Sequence, residues 1–291
     1  MAQYLPVECR ANSPYARKMD AYFRPTSLPE ALDLMARHRP QPLAGGTDLY
    51  PWITGAEVWG PRPALNWLDI SVIAALRGVS ATRIGALATW TELAEAALPP
   101  SFRALQQAAR QVGGRQVQNR GTVLGNLCNA SPAADGVPPL LLLDAEVELA
   151  SAAGTRRVPL SQFILHNRRT ARTPEEIAVA LHIPAQPDVE SRFEKLGARK
   201  QLVISIAMAA GLARWDGKRI VQARVAIGAC SPVARRLHGL EAALLGATRD
   251  EAAHIIARLP LPELSPIADV RGSAAYRAAA AREVIARAVL A

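Results

Sequence analysis

Apolar positions first fall into a helical rhythm at Leu28, Leu32 and Met35, behind a Ser27 and a Glu30 whose spacing is that of a capping box, so a helix over about 28–38 is expected. A second stripe, Phe102, Leu105, Ala109 and Val112, predicts a helix from Ser101 ending at Gly113-Gly114. Between them a short apolar stretch at Pro42-Leu43 runs into Gly45-Gly46, the pattern of a strand ending in a tight loop. Alternation with period two marks strands at 146–149 and 177–183, with a glycine-containing turn at 151–155, and antiparallel pairing is the better expectation. Further on, the apolar segments 204–215 and 219–229 flank Asp216-Gly217, the dipeptide of a tight right-twisted hairpin. Three helical stretches close the chain, one capped by Thr248 with Glu251 and one starting near Ser273.

Two domains follow from this pattern. Pro184 and Pro187 make an extended connection, which places a boundary between residues 21–185 and residues 189–291. The second domain reads as a small sheet covered by helices. Residues 1–20 are polar, with no apolar run long enough for a signal peptide or membrane anchor, and read as a flexible tail. A chain of 291 residues that is 50% hydrophobic has ample material for a sizeable core. The mixture of helices with antiparallel strands makes the class α+β.

Composition removes several function classes. Lys and Arg number 34 against 25 Asp and Glu, a net +9 that suits an anionic surface or an acidic protein partner. The basic residues come in short pairs such as Arg156-Arg157, Arg168-Arg169 and Arg235-Arg236, without long runs or interleaved aromatics, so no nucleic-acid surface is expected. Cys9, Cys128 and Cys230 are isolated, which excludes a CxxC metal or cluster site and fits a reducing, cytoplasmic setting. His38, His166, His182, His238 and His254 lack metal spacing, and Ser131 lacks a G-x-S-x-G setting, so metalloenzyme and hydrolase readings are poor.

The chemistry-bearing candidates are two glycine loops. Pro42-Leu43-Ala44-Gly45-Gly46-Thr47-Asp48-Leu49 and Gly121-Thr122-Val123-Leu124-Gly125-Asn126 each offer backbone N–H groups with little side-chain obstruction, as a pyrophosphate requires. Either loop alone is equally a simple turn. Neither is a GxGxxG fingerprint or a phosphate loop ending in Gly-Lys-Ser/Thr, which excludes Rossmann and P-loop nucleotide sites.

Taken in order with Ala130-Ser131-Pro132-Ala133-Ala134-Asp135, an opening Tyr22-Phe23-Arg24-Pro25-Thr26-Ser27 and a closing segment 265–277, these loops resemble the FAD-binding medium subunits of the molybdenum hydroxylases. That family contains xanthine, aldehyde and carbon monoxide dehydrogenases, and the likeness spans nearly the whole chain. It implies a PCMH-type FAD-binding fold of two small α+β subdomains, followed by a C-terminal antiparallel sheet packed with helices. It also implies an oxidoreductase subunit of a heterotrimer, holding FAD itself. An iron-sulfur small subunit would supply [2Fe-2S] clusters and a large subunit the molybdopterin cofactor, with electrons leaving to NAD+ or another acceptor.

By the same resemblance, residues 43–48 wrap the FAD pyrophosphate while Thr122, Gly125 and Asn126 approach from the other side. Asp135 accepts from cofactor hydroxyls, caps the helix leading to Leu140, or does both. Lys195 lies near the flavin, where its charge would favour the reduced ring. The backbone around Ala178 and Leu181 touches flavin, or packs in the core. Val112 replaces an aromatic contact by an aliphatic one, with Tyr22, Trp52 and Trp90 as other ring partners. Leu124 stands where the family commonly has a second glycine, so strain is expected if that turn needs positive φ. No side-chain nucleophile is implied. Two alternatives remain open: a stand-alone FAD-dependent NAD(P)H reductase, and a flavin-free scaffold or assembly protein.

Overall fold

A computed structural model describes residues 21–51 and 66–290. The tail 1–20 and Trp52 lie outside the described residues.

The chain opens with a small parallel sheet in the order Tyr22–Phe23, Trp67–Asp69, Gln41–Leu43. Helix Leu28–His38 joins its outer strands, with Ser27 accepting the Glu30 N–H as N-cap and Arg39 closing the C-terminus in the left-handed region at φ 46°. Ala31 and Met35 face the core, and the Phe23 and His38 rings stack with centroids 4.9 Å apart. A second sheet, wholly antiparallel as the alternation predicts, runs Arg83–Gly85, Ile177–His182, Glu146–Ser151, Gly154–Pro159. Helices Arg103–Ala109, Val123–Asn129 and Val137–Leu142 share its core, which buries Trp90, Phe102, Leu105, Leu124, Leu127 and Phe163.

The expected helix from Ser101 is shorter than its apolar stripe. Pro100–Phe102 form a 3-10 turn, the α-helix ends at Ala109, and Val112 falls in the turn that follows. Beyond it the backbone tightens to three-residue bonds, Gln111 N–H to the Ala108 carbonyl at 2.9 Å and Val112 N–H to the Ala109 carbonyl at 3.4 Å, while the Arg110 guanidinium reaches the Ala94 carbonyl at 2.6 Å.

The C-terminal sheet is antiparallel in the order Ser191–Leu196, Ala207–Asp216, Arg219–Gly228, Arg235–Arg236. Asp216 pairs with Arg219, so the two-residue turn is Gly217-Lys218, one position beyond the expected dipeptide, and Gly217 supplies the positive φ of 57°. Residues 207–212 are buried without interruption because both faces of the strand are covered. Ala207 and Ala209 face the core shared with helix Ala274–Leu290, whereas Met208, Ala210 and Leu212 face the N-terminal core. Gly211 lets that helix sit directly on the strand: a Cβ there would stand 2.7 Å from the Ala288 carbonyl oxygen. Helices His238–Leu244 and Arg249–Arg258 complete the cover, the second with the expected Thr248 and Glu251 capping box.

Candidate cofactor site

The two glycine loops, 76 positions apart at Gly45 and Gly121, meet across one cavity of about 430 Å³. The first leaves strand Gln41–Leu43 and turns through Gly46, whose φ of 75° needs glycine. The second is pinned from behind: Trp90 N–H donates to the Gly121 carbonyl at 3.1 Å and Val123 N–H to the Ala88 carbonyl at 3.0 Å. Gly45 packs against this loop so closely that any Cβ would collide with the Arg120 carbonyl oxygen. At Gly121 a Cβ would stand 3.1 Å from the Thr47 Oγ1. The glycines thus let two backbones touch, and the cavity is the space enclosed where they do.

Of the residues expected at a cofactor, Pro42, Ala44, Gly45, Gly46, Thr47, Asp48, Leu49, Val112, Thr122, Leu124, Gly125, Asn126 and Ala178 all line this cavity. Leu43, Val123 and Leu181 do not; they are buried in the core beside it. Thr122 caps helix Val123–Asn129 by accepting the Gly125 N–H at 3.1 Å, so that amide is already engaged and the hydroxyl hydrogen remains to donate. Leu124 is the second residue of that helix, absent from the positive-φ positions and 1% exposed; the anticipated strain does not exist. The Asn126 Oδ1 is buried without a hydrogen-bond partner among the described residues.

Asp135 and Lys195 lie apart from the cavity lining, joined by a 2.6 Å ion pair with both side chains under 10% exposed. Burial holds the Asp135 carboxyl above the usual carboxylate range, while the Lys195 charge and the Ser205 hydroxyl, donating at 2.6 Å, pull the other way. Asp135 caps no helix. The following helix has Gly136 at its N-cap and no side-chain cap bond. The pair instead ties the segment after the second loop to the C-terminal sheet.

The structure adds lining residues that sequence patterning did not single out: Gln41, Ile70, Ala86, Val117, Cys128, Asn129, Arg168, Thr170, Arg172 and Ile177. Trp90, named only as one of three ring partners, lines the cavity with its ring almost fully buried. Tyr22 is directed elsewhere, donating its hydroxyl to Asp69 at 2.5 Å. Burial pushes the Cys128 thiol up to about 11, so the sulfur stays a neutral wall element at physiological pH. Among the described residues no cluster of His, Cys, Asp and Glu is fit to hold a metal, and no helix is long and apolar enough to cross a membrane.

A family model described as the FAD binding domain in molybdopterin dehydrogenase matches residues 16–186, and one described as the CO dehydrogenase flavoprotein C-terminal domain matches residues 192–291. The chain belongs to the FAD-binding medium subunits of the molybdenum hydroxylase family. This flavoprotein subunit is 31% identical to a xanthine dehydrogenase FAD-binding subunit of Escherichia coli O157:H7, over 88% of this chain and 90% of that one. It is 30% identical to the carbon monoxide dehydrogenase medium chain of Hydrogenophaga pseudoflava, over 92% and 95%. Among solved structures it superposes with a TM-score of 0.80 on a chain of the carbon monoxide dehydrogenase from that organism, at 29% identity over 92% of this chain and 95% of the other. A chain of quinoline 2-oxidoreductase from Pseudomonas putida 86 gives 0.82 at 25% identity, over 92% and 94%. The flavoprotein subunit is therefore an oxidoreductase component with the PCMH-type fold, carrying an FAD-binding domain in its N-terminal part.

Proposed function

We propose that the cavity between the two glycine loops is the FAD site and that the subunit relays electrons from an iron-sulfur partner to NAD+ or another acceptor. The observation that carries the reading is the joining of both loops around one space, with a buried, unpartnered Asn126 Oδ1 and a Thr122 hydroxyl hydrogen left for a ligand. A cavity of this volume, with polar side chains set among apolar walls, is of the kind that holds cofactors. Residues 44–48 supply the backbone for the pyrophosphate, Thr122 and Asn126 the opposing polar groups, and Val112, Ile177 and Ala178 the apolar contacts for the rings. Bound there, FAD supplies redox chemistry in one-electron and two-electron steps. The protein's part is placement: it holds the cofactor, keeps water from its apolar walls, and lacks a thiolate or paired acid that would compete.

The partners in this reading are an iron-sulfur small subunit and a molybdopterin-binding large subunit. Relatives bearing medium-chain and FAD-subunit names support that division of labour. In this reading the domain boundary falls at 186–188, which the end of the first matched family segment at residue 186 and the start of the second at residue 192 support. The test is direct: the purified full chain, supplied with FAD and desalted, is expected to retain about one flavin per chain, seen by its absorption bands. Colourless protein after FAD addition would remove the reading and leave a flavin-free scaffold. Co-purification of cluster-bearing and molybdenum-bearing partners, with flavin reduction when the complex receives its substrate, tests the relay.

A further inference from the structure

The cavity has a third wall that neither glycine loop supplies. Arg168 and Arg172 both line it, from the segment between strand Ile164–His166 and strand Ile177–His182, more than 40 positions beyond the second loop. The Arg168 guanidinium donates to the Asn129 Oδ1, and Asn129 in turn donates from Nδ2 to the Asp48 Oδ1 at 2.9 Å. The first loop, the helix that follows the second, and the arginine segment are thereby linked in one chain of hydrogen bonds. Arg172 is held from behind, its Nη1 donating to the Glu176 carbonyl at 2.7 Å and the Thr173 carbonyl at 3.2 Å. Arg168 sits in the left-handed region at φ 60°, a conformation a non-glycine residue keeps only where its surroundings hold it.

Charge makes this wall more than a brace. Among the described lining residues Asp48 is the one acidic side chain, and burial raises its pKa while Arg168 lowers it. Among the described residues neither arginine makes a salt bridge to a carboxylate. Two guanidiniums against one carboxylate leave a surplus of positive charge facing the cavity. A guanidinium fork matches phosphate oxygens in geometry and stays charged at every working pH.

We infer that Arg168 and Arg172 form a cationic clamp for the diphosphate of the bound dinucleotide cofactor, opposite the glycine loops. This rests on the FAD reading of the cavity and adds to it the groups that neutralise the cofactor's charge. The glycine loops contribute only backbone dipoles and hydroxyls; the arginines contribute full charges. Arg168 also positions Asp48 through Asn129, so cofactor charge and loop geometry are coupled in one network.

The test uses the full chain freed of flavin and titrated separately with FAD and with riboflavin, which lacks phosphate, at low and high salt. Arg168→Met and Arg172→Met are each expected to weaken FAD about tenfold or more, flatten the salt dependence, and leave riboflavin binding unchanged. Arg168→Lys, which keeps the charge and the stem, is expected to recover part of the FAD affinity and keeps the test valid if the methionine variant folds poorly. FAD and riboflavin weakened alike would make the arginines merely structural and overturn the clamp. Unchanged FAD affinity in a wild-type-like background, with a raised KM for NAD+ in the assembled complex, would assign them to the acceptor's diphosphate and also overturn it. A wild-type chain that takes up no FAD would defeat the cavity assignment itself, a result distinct from either.

Discussion

A methyl group on Gly45 would drive into the Arg120 carbonyl oxygen, which is backbone and has no rotamer through which to yield. The glycine is therefore required first by the contact between the two loops, and only through that contact by any ligand. Gly45→Ala is expected to lower stability by roughly 1–3 kcal/mol, as overpacking does, and to reduce FAD retention in parallel, measured by thermal melting alongside flavin stoichiometry. A variant that melts like the parent yet loses flavin would show that the residue acts on the ligand alone. Glycine identity was legible in the sequence at this position, whereas the partner atom was not, because Arg120 is far along the chain. Arg168 and Arg172 were illegible for a related reason. Arg168 beside Arg169 in a short hairpin reads as solvated surface until folding sets it against Asn129, and Arg172 reads so until folding turns it into the cavity wall.

At the scale of elements, the residue that departs from the family pattern is explained by its place in a helix. Leu124 occupies the second position of Val123–Asn129 and is packed in the N-terminal core, where right-handed backbone suits any L-residue. Leu124→Gly, which restores the more common residue, is expected to destabilise the chain by about 3–5 kcal/mol through the cavity it leaves and the loss of helix propensity. Urea denaturation followed by circular dichroism checks this; equal midpoints for variant and parent would refute the packing argument. Sequence periodicity located helix Leu28–His38 with its Ser27 cap, and the Thr248 and Glu251 capping box, because these are local signals; at the first helix the reciprocal half of the box is not formed, since Glu30 accepts from the Thr26 N–H instead of the Ser27 N–H. It overextended the helix at 103–109, since apolar spacing continues to Val112 while the backbone already tightens into a turn at Gln111 and Val112. Of the two roles the sequence left open for Asp135, the local one, a helix cap, is not formed; its partners Lys195 and Ser205 lie 60 and 70 positions away, beyond the reach of local signals.

Across the whole molecule, the two parts are joined by charge as well as by packing. Arg236 in the last strand donates to both Glu241 carboxylate oxygens, at 2.6 and 2.9 Å, and reaches the Leu141 carbonyl at 3.1 Å and Asp144 at 2.8 Å in the N-terminal part. Burial by itself would raise the Glu241 pKa, but the bonds from Arg236 and the Val225 N–H outweigh it and hold the carboxyl below its ordinary 4.5. A carboxylate depressed in the folded state adds stability that is complete above its unfolded pKa and is lost as pH falls through the folded one. Asp269, held down to about 2 by the Arg271 N–H and by Arg277, loses its share later. Melting temperature is therefore expected to fall as pH drops below 4.5. Glu241→Gln should melt lower than the parent at neutral pH and show a shallower acid slope; parallel slopes would discount the network.

The doubly covered strand Ala207–Asp216 bears on how such a subunit can be divided or recombined. Cutting the chain at 186–188 would leave Phe193, Met208, Ala210, Leu212 and Ala226 wet on the C-terminal piece and strip the N-terminal helices of their floor. Separate family models match residues 16–186 and 192–291, yet each of those segments buries apolar side chains in a core shared with the other. A chimera exchanging C-terminal halves between relatives would have to carry the matching faces of helices Arg103–Ala109 and Val137–Leu142 with it, so the inheritable unit is the whole flavoprotein chain.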